Sequence, residues 1–250
     1  MKIESIEQTF SRFLAGKTAL ITGGTSGIGA AIGRALEQCG ARVTVTGATD
    51  TEVAAAKSAS GFSGEAVRLD VREKKAVDKL IGGFDRLDVL VNCAGVIRRN
   101  AEHDPEVFDD VIDINLNGSM RCCTAARALL AKNAGAIVNT ASMLSFFGGG
   151  VVPAYSASKG GIAQLTRSLA IAYAADRIRV NAVAPGWIAT PLTQTLQQDA
   201  SRSRAILERT PLGRWGQPED IAGAVAFLCS PAAAFVTGIV LPADGGYLVA

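Results

Sequence analysis

The stretch TALITGGTSGIG, Thr18–Gly29, passes from an apolar, β-branched run into a glycine-rich turn and then into a helical period. The run Thr18–Thr22 reads as a strand, and the helix that follows, Ile28–Cys39, is stopped by Gly40. Within the turn, Gly23 can take the tight bend, Gly27 lets the backbone approach a pyrophosphate, and Gly29 lets the helix pack close to the strand. The helix N-terminus would then offer its free N–H groups to an anion. Glycines also serve turns that bind nothing. What gives these a ligand is their place at the first strand of an alternating chain.

That alternation extends in both directions. Strands are expected at Arg42–Thr46, Ala66–Leu69, Asp88–Asn92, Ala136–Thr140, Arg179–Ala184 and Ile239–Ala243. Between them, helices are expected over Thr51–Ser60, Glu73–Ile81, Glu106–Ala131 and Ala154–Tyr173, then a polar helical stretch over Leu192–Arg209 and a helix at Pro218–Leu228. In Ala154–Tyr173, Ile162, Leu165, Leu169 and Ala172 recur at helical spacing and predict one apolar face. The strands are continuous apolar runs, the pattern of strands buried on both faces. The expectation is an α/β fold: one doubly wound parallel sheet, Rossmann-like, with helices on both faces and a single domain over residues 1–250.

Composition narrows the class. The chain has 250 residues, 48% hydrophobic and 19% charged, which suits a globular domain. A net charge of +2, without a basic stripe, argues against nucleic acid or an acidic membrane surface as partner. No apolar run approaches a membrane span, and the opening MKIESIEQTFSRFLAGK lacks the pattern of a secretory signal. Five cysteines without a CxxC pair suggest free buried thiols in a reducing cytoplasm. The single histidine, His103, leaves a metal site or a Ser-His-Asp hydrolase without support.

The second strand ends at Gly47-Ala48-Thr49, where dinucleotide folds place an acid for the adenosine 2′-hydroxyl or an Arg for a 2′-phosphate. Neither is present there; Asp50 comes slightly late. A 2′-phosphate without a cation would be poorly compensated, so the reading is NAD or NADP with NAD favoured.

Tyr155 and Lys159 lie four residues apart on an expected helix and so share a face. A phenol titrates near 10, too high for a base at neutral pH. A neighbouring ammonium and an oxidised nicotinamide would stabilise the phenolate, letting Tyr155 exchange a proton with an alcohol or ketone. Ser142 follows the fifth strand, where sheet C-termini meet the ligand crevice, and its hydroxyl could bond the substrate oxygen. Each alone has an ordinary alternative: a helix-start aromatic, a surface lysine, a turn serine.

Taken in order, these segments resemble the short-chain dehydrogenase/reductase family over about Lys17–Tyr247. The resemblance rests on Thr22-Gly23-x-x-x-Gly27-x-Gly29, Asp70-Val71, Asn92-Cys93-Ala94-Gly95, Asn115, Ser142, Tyr155-Ser-Ala-Ser-Lys159, Pro185-Gly186 with Ile188 and Thr190, and Asp244-Gly245-Gly246. It implies a catalytic set of Asn115, Ser142, Tyr155 and Lys159. It also implies a cofactor site of Gly23, Thr25, Ser26, Gly27, Ile28, Gly29, Gly47, Asp70, Val71, Asn92, Ala94, Gly95, Tyr155, Lys159, Pro185, Gly186, Ile188 and Thr190. By the same resemblance, Lys159 binds the nicotinamide ribose, Asn115 holds a relay water, Asp70-Val71 meets the adenine, and the protein is a homotetramer joined through the Glu106–Ala131 and Tyr155–Tyr173 helices. Cys93 departs from the usual second Asn, and the short interval between Asp70 and Asp88 suggests a trimmed helix.

Substrate choice should lie in a lid at about 187–215 and in the loops after Gly95 and Ser142. Arg98, Arg99, Arg202, Arg204 and Arg209 could hold a carboxylate by paired hydrogen bonds, or simply face solvent. The stretches GVIRR, ASMLSFFGG and DGGYL are similar to the sugar-acid branch of the family, which implies a small-molecule polyol carboxylate as substrate. The alternatives are a 3-oxoacyl thioester reductase and a nucleotide-binding protein without catalysis.

Overall fold

The computed structural model describes residues 12–59 and 61–250. Most of the opening stretch, and the expected helix end at Ser60, fall outside them. Seven strands form one parallel sheet: β1 (Thr18–Thr22), β2 (Arg42–Gly47), β3 (Glu65–Arg68), β4 (Val89–Asn92), β5 (Ala136–Thr140), β6 (Arg179–Pro185) and β7 (Val240–Ala243). Their order is β3-β2-β1-β4-β5-β6-β7, and every neighbouring pair is parallel. The chain winds outward from β1 to β3, crosses to β4, and winds outward the other way. The crevice at that reversal, beyond the C-terminal ends of β1 and β4, is where such sheets bind ligands.

Period-2 alternation divides the core. From β1, Ala19 and Ile21 enter the cluster containing Ile32, Leu36, Ile221 and Leu228; Leu20, between them, enters the cluster containing Ile81, Leu130, Ile137 and Val180. The first cluster lies beneath α1 (Gly27–Gln38) and α9 (Pro218–Cys229), the second beneath α3 (Lys74–Gly82), α5 (Gly118–Asn133) and α6 (Pro153–Ala172). Each large apolar side chain buried here contributes about 1.5–3 kcal/mol. The doubly wound fold expected from the sequence is present, and α3 is the short helix foreseen between Asp70 and Asp88.

Three expectations need correction. The expected helix Glu106–Ala131 is three pieces: α4 (Pro105–Ile112), a π-helical turn at Asp113–Asn117, and α5. Local sequence starts it well, since Pro105 takes the first helical position and the Asp104 carboxylate accepts from the N–H groups of Glu106 and Val107. The wide turn is imposed by tertiary contacts of Asn115, which sequence spacing cannot show. On α6, Ile162 and Leu169 are buried, but Ala172 is exposed and the buried stripe includes Thr166 and Ala170. The polar stretch after Pro191 is also broken: a 3₁₀ turn (Pro191–Thr193), then α7 (Gln194–Gln198) and α8 (Ala200–Glu208), with the Asp199 carboxylate capping α8. The remaining helix, α2 (Asp50–Ser58), starts from a capping box between Thr49 and Glu52.

Candidate active site

The turn after β1 is held by close backbone packing. Gly23, at φ +65°, lies so near β4 that a Cβ on it would stand 2.6 Å from the Ala94 Cα. The Thr22 hydroxyl accepts from the N–H groups of Cys93 and Ala94, joining the two strand ends. Helix α1 begins here with Ser26 as N-cap, but without a side-chain cap and without an acid in its first turn. Its first-turn N–H groups have no partner within the helix. Gly27, at φ +51°, leaves the approach to them open, with the Thr190 side chain nearest the position a Cβ would take, its methyl 3.5 Å away. This cradle fits the pyrophosphate of a dinucleotide.

A cavity of about 590 Å³ runs from this cradle past Gly95 to Ser142, Tyr155 and Lys159, and is walled further on by Ile188 and Thr190. The four residues expected to act together come from three elements: Ser142, Tyr155 and Lys159 line the cavity, and Asn115 stands behind Gly95 in its wall. Asn115 sits in the π turn, 1% exposed; its side chain accepts from the Val96 N–H (2.8 Å) and donates to the Val96 carbonyl (2.9 Å) and the Ser158 hydroxyl (3.1 Å). Ser142 follows β5 and caps a 3₁₀ turn, Met143–Ser145, by accepting from the Leu144 N–H. Tyr155 and Lys159 come from the first turns of α6, with the Lys159 Nζ 5.5 Å from the phenol ring centre. Lys159 donates to the Thr140 carbonyl at 2.6 Å and is almost wholly buried.

Burial sets the electrostatics. Desolvation pulls the Lys159 ammonium down to about 8. The Tyr155 phenol is pushed up by burial; the Ser142 hydroxyl and Arg99 oppose this, while Cys93 and Glu102 reinforce it. The sequence argument expected a lowered phenol. In the protein alone the balance runs the other way, because desolvation outweighs the groups that favour phenolate.

Other expected residues divide into two groups. Ser26, Ile28, Gly29, Pro185 and Gly186 line the cavity. Thr25 packs against Gly47. Val71 is buried against Gly118, and the Asp70 carboxylate is engaged by Arg72, whose Nη2 lies 2.6 Å away. The Asn92 side chain turns away from the cavity, donating to Asn139 and to the Cys123 sulfur in the core. Of the five arginines, Arg99 alone lines the cavity; Arg98, Arg202 and Arg204 are exposed, and Arg209 stacks on the rings of Tyr247 (4.3 Å) and Phe147 (5.4 Å). Arg99 is part-buried, and desolvation lowers its affinity for its proton. His103 bonds the Gly150 carbonyl, a loop role. Among the described residues no group of three His, Cys, Asp or Glu is placed to hold a metal ion.

Sequence reasoning missed Thr140, whose carbonyl anchors Lys159, and Glu102, a carboxylate 1% exposed beside Tyr155. Nothing local marks Glu102 out: an acid two residues before Asp104-Pro105 reads as a solvated loop acid.

A family model described as enoyl-(acyl carrier protein) reductase matches residues 23–248. Among curated relatives, a 2-dehydro-3-deoxy-D-gluconate 5-dehydrogenase of Bacillus subtilis is 42% identical, covering 94% of this chain and 96% of its own. A cis-4-hydroxycyclohexanecarboxylate dehydrogenase of Sinomonas cyclohexanicum is 43% identical, covering 92% and 96%. Among solved structures, a putative 2-deoxy-D-gluconate 3-dehydrogenase from Agrobacterium tumefaciens with bound NADP superposes with a TM-score of 0.87 at 42% identity, over 97% of this chain and 99% of that one. The chain belongs to the short-chain dehydrogenase/reductase family. It is an NAD(P)-dependent oxidoreductase that interconverts a secondary alcohol and a ketone. Among the described residues, no helix is long and apolar enough to cross a membrane.

Proposed function

We propose that this enzyme acts on a hydroxy acid of the sugar-acid type, with Tyr155 as the proton-transfer group and Arg99 as the reader of the substrate carboxylate. The observation that carries the second role is the position of Arg99: a part-buried cation lining the cavity that holds Tyr155, whose guanidinium makes, among the described residues, only a long hydrogen bond, 3.4 Å, to the Leu192 carbonyl. A substrate carboxylate would compensate its desolvation by paired, charge-assisted bonds. The names of both curated relatives above describe acids that carry a hydroxyl or keto group as well as a carboxylate. An acyl thioester, the alternative favoured by the family model's description, gives this arginine no such partner.

The nicotinamide supplies the hydride acceptor or donor when bound. In the oxidative direction, the Ser142 hydroxyl would hold the substrate oxygen, and Tyr155, as the phenolate favoured by Lys159 and the positive charge of an oxidised nicotinamide, would take its proton. Lys159 keeps a positive charge near the phenol and holds the nicotinamide ribose. Asn115 fixes the Gly95–Val96 backbone at the cavity wall and retains the relay water. The first-turn N–H groups of α1 hold the pyrophosphate, Pro185–Thr190 the nicotinamide side, and Gly47, Asp70 and Val71 the adenosine end. The segment 187–215 acts as the lid. Trp187 stacks edge-on against Trp215 and Tyr247, which ties the lid to the C-terminal turn. NAD is the favoured cofactor, because Arg68, the cation near the end of β2, is engaged by Asp50 at 3.0 Å and by the Ala48 carbonyl.

The enzyme works as a homotetramer in the cytoplasm. Supporting this are Met120 on α5 and Ile171 on α6, large apolar groups left exposed on the two expected interface helices, and cysteines that are all free among the described residues.

The test is turnover with NAD and with NADP against D-gluconate, 2-dehydro-3-deoxy-D-gluconate, cis-4-hydroxycyclohexanecarboxylate and uncharged cyclohexanol. Preference for an acid supports the reading. Clear turnover of cyclohexanol with none of the acids overturns it.

A further inference from the structure

We infer that Glu102 is a positioning residue: one buried carboxylate clamps the loop that carries Arg99 to the first turn of the helix that carries Tyr155. The inference rests on the roles proposed above for those two residues.

Glu102 is 1% exposed, and the hydrogen-bond partners of its two oxygens are backbone N–H groups. One oxygen accepts from Arg98 at 2.8 Å, the other from Tyr155 at 2.8 Å, across 53 residues. The first turn of α6 needs such an acceptor. Its N-cap, Val152, offers no side-chain cap, and Pro153 at the first position has no N–H to give. A carboxylate here also meets the positive end of the helix dipole. The N–H it holds belongs to the residue whose phenol faces the substrate.

The other half of the clamp is the loop after β4. Asn115 pins its start through both backbone groups of Val96, and Glu102 pins Arg98. Just beyond these pins, Asn100 N–H donates to the Val151 carbonyl at 2.9 Å, and His103 bonds Gly150. Arg99 therefore stands on a segment stitched to the stretch immediately before α6. The distance between carboxylate reader and phenol is set by this stitching, with Glu102 as its buried member.

A buried carboxylate is costly to desolvate, and a neutral side chain could cap a helix more cheaply. A plain cap would need neither the charge nor the second bond to the Arg98 N–H. The charge has a further effect at the phenol. The groups acting on Tyr155 are Ser142 after β5, Cys93 after β4, Arg99 and Glu102 on the loop, and Lys159 on α6; Glu102 is one of those that raise it.

The experiment compares Glu102→Gln and Glu102→Asp with the parent enzyme, using the best acid of the panel above and its preferred cofactor. It measures kcat, KM, the pH profile of kcat for oxidation, cofactor Kd and melting temperature. In Glu102→Gln, the amide nitrogen turns a donor towards one of the two N–H groups. We expect kcat to fall about tenfold and KM to rise several-fold, with cofactor Kd within twofold of the parent. The apparent pKa of the oxidative profile should move down, since a nearby anion has gone. Glu102→Asp keeps the charge but loses reach: kcat should fall while the pKa stays. Lowered melting temperatures with kcat, KM and pH profile unchanged in both variants would overturn the proposal, leaving Glu102 a structural cap. Tyr155→Phe is run in parallel. If it keeps turnover, the underlying reading of Tyr155 fails; if it is inactive while Glu102→Gln is kinetically normal, only the clamp fails.

Discussion

At one end of the cavity the wall is backbone: the turn Gly23–Gly29, the open N-terminus of α1, and the glycine Gly95 beside β4. At the other end it is side chains, brought from well-separated stretches: Arg99, Ser142, Tyr155 and Trp187. The cofactor end needs little beyond a strand, a turn and a helix in sequence, so local rules build it. The substrate end exists only after the loop following β4, the turn following β5, the start of α6 and the segment after β6 have met.

This contrast can be broken most decisively at the phenol. Tyr155→Phe should leave dinucleotide affinity within a few-fold, since the cradle is backbone, while turnover falls by about 10²–10⁴. Single-turnover assays and cofactor titration of the same preparation check both halves; equal loss of binding and chemistry would erase the distinction. Arg99→Leu comes next. Removing a charge-assisted bond worth about 1.5–3 kcal/mol should raise KM for the acid substrate roughly ten- to hundredfold. Cyclohexanol should lose much less, and equal losses for both would remove the carboxylate role. At the cofactor end, Gly27→Ala forces a Cβ into a left-handed conformation costing about 1–2 kcal/mol. Dinucleotide Kd should rise about tenfold, read by protein fluorescence, with KM for the acid nearly unmoved at saturating cofactor. The smallest effect is expected for Asp50→Asn. The pair it breaks with Arg68 is exposed and worth under about 1 kcal/mol, so the fold should not notice. Arg68 would then be free for a 2′-phosphate, and the NADP-to-NAD ratio of kcat/KM should rise a few-fold; an unchanged ratio would place cofactor choice elsewhere.

The same contrast explains what could be read in advance. The sheet, the glycine turn and the Tyr155–Lys159 pair are local patterns of period 2, period 3.6 and four-residue spacing, and each appears where those periods put it. Choosing Arg99 from five arginines needed the loop's path in space, because all five sit in similarly polar sequence. Glu102 was illegible for the same reason: its partner is Tyr155, 53 residues on. The direction of the Tyr155 shift was missed because spacing gives the neighbours of a phenol but not its burial. The broken helix at Asp113–Asn117 was hidden too, since hydrophobic periodicity there is compatible with an uninterrupted rod.

That wide turn has a consequence for engineering. Each residue of an α-helix advances the azimuth by about 100°. Winding Asp113–Asn117 into regular α-helix with every residue retained would, on helix propensity alone, look like an improvement. It would also rotate everything downstream by that angle, carrying Cys122, Ala126 and Leu130 off the interior and Asn115 off Val96. The irregularity works as a phase shifter between two halves of one rod, and a local optimiser blind to phase would remove it first.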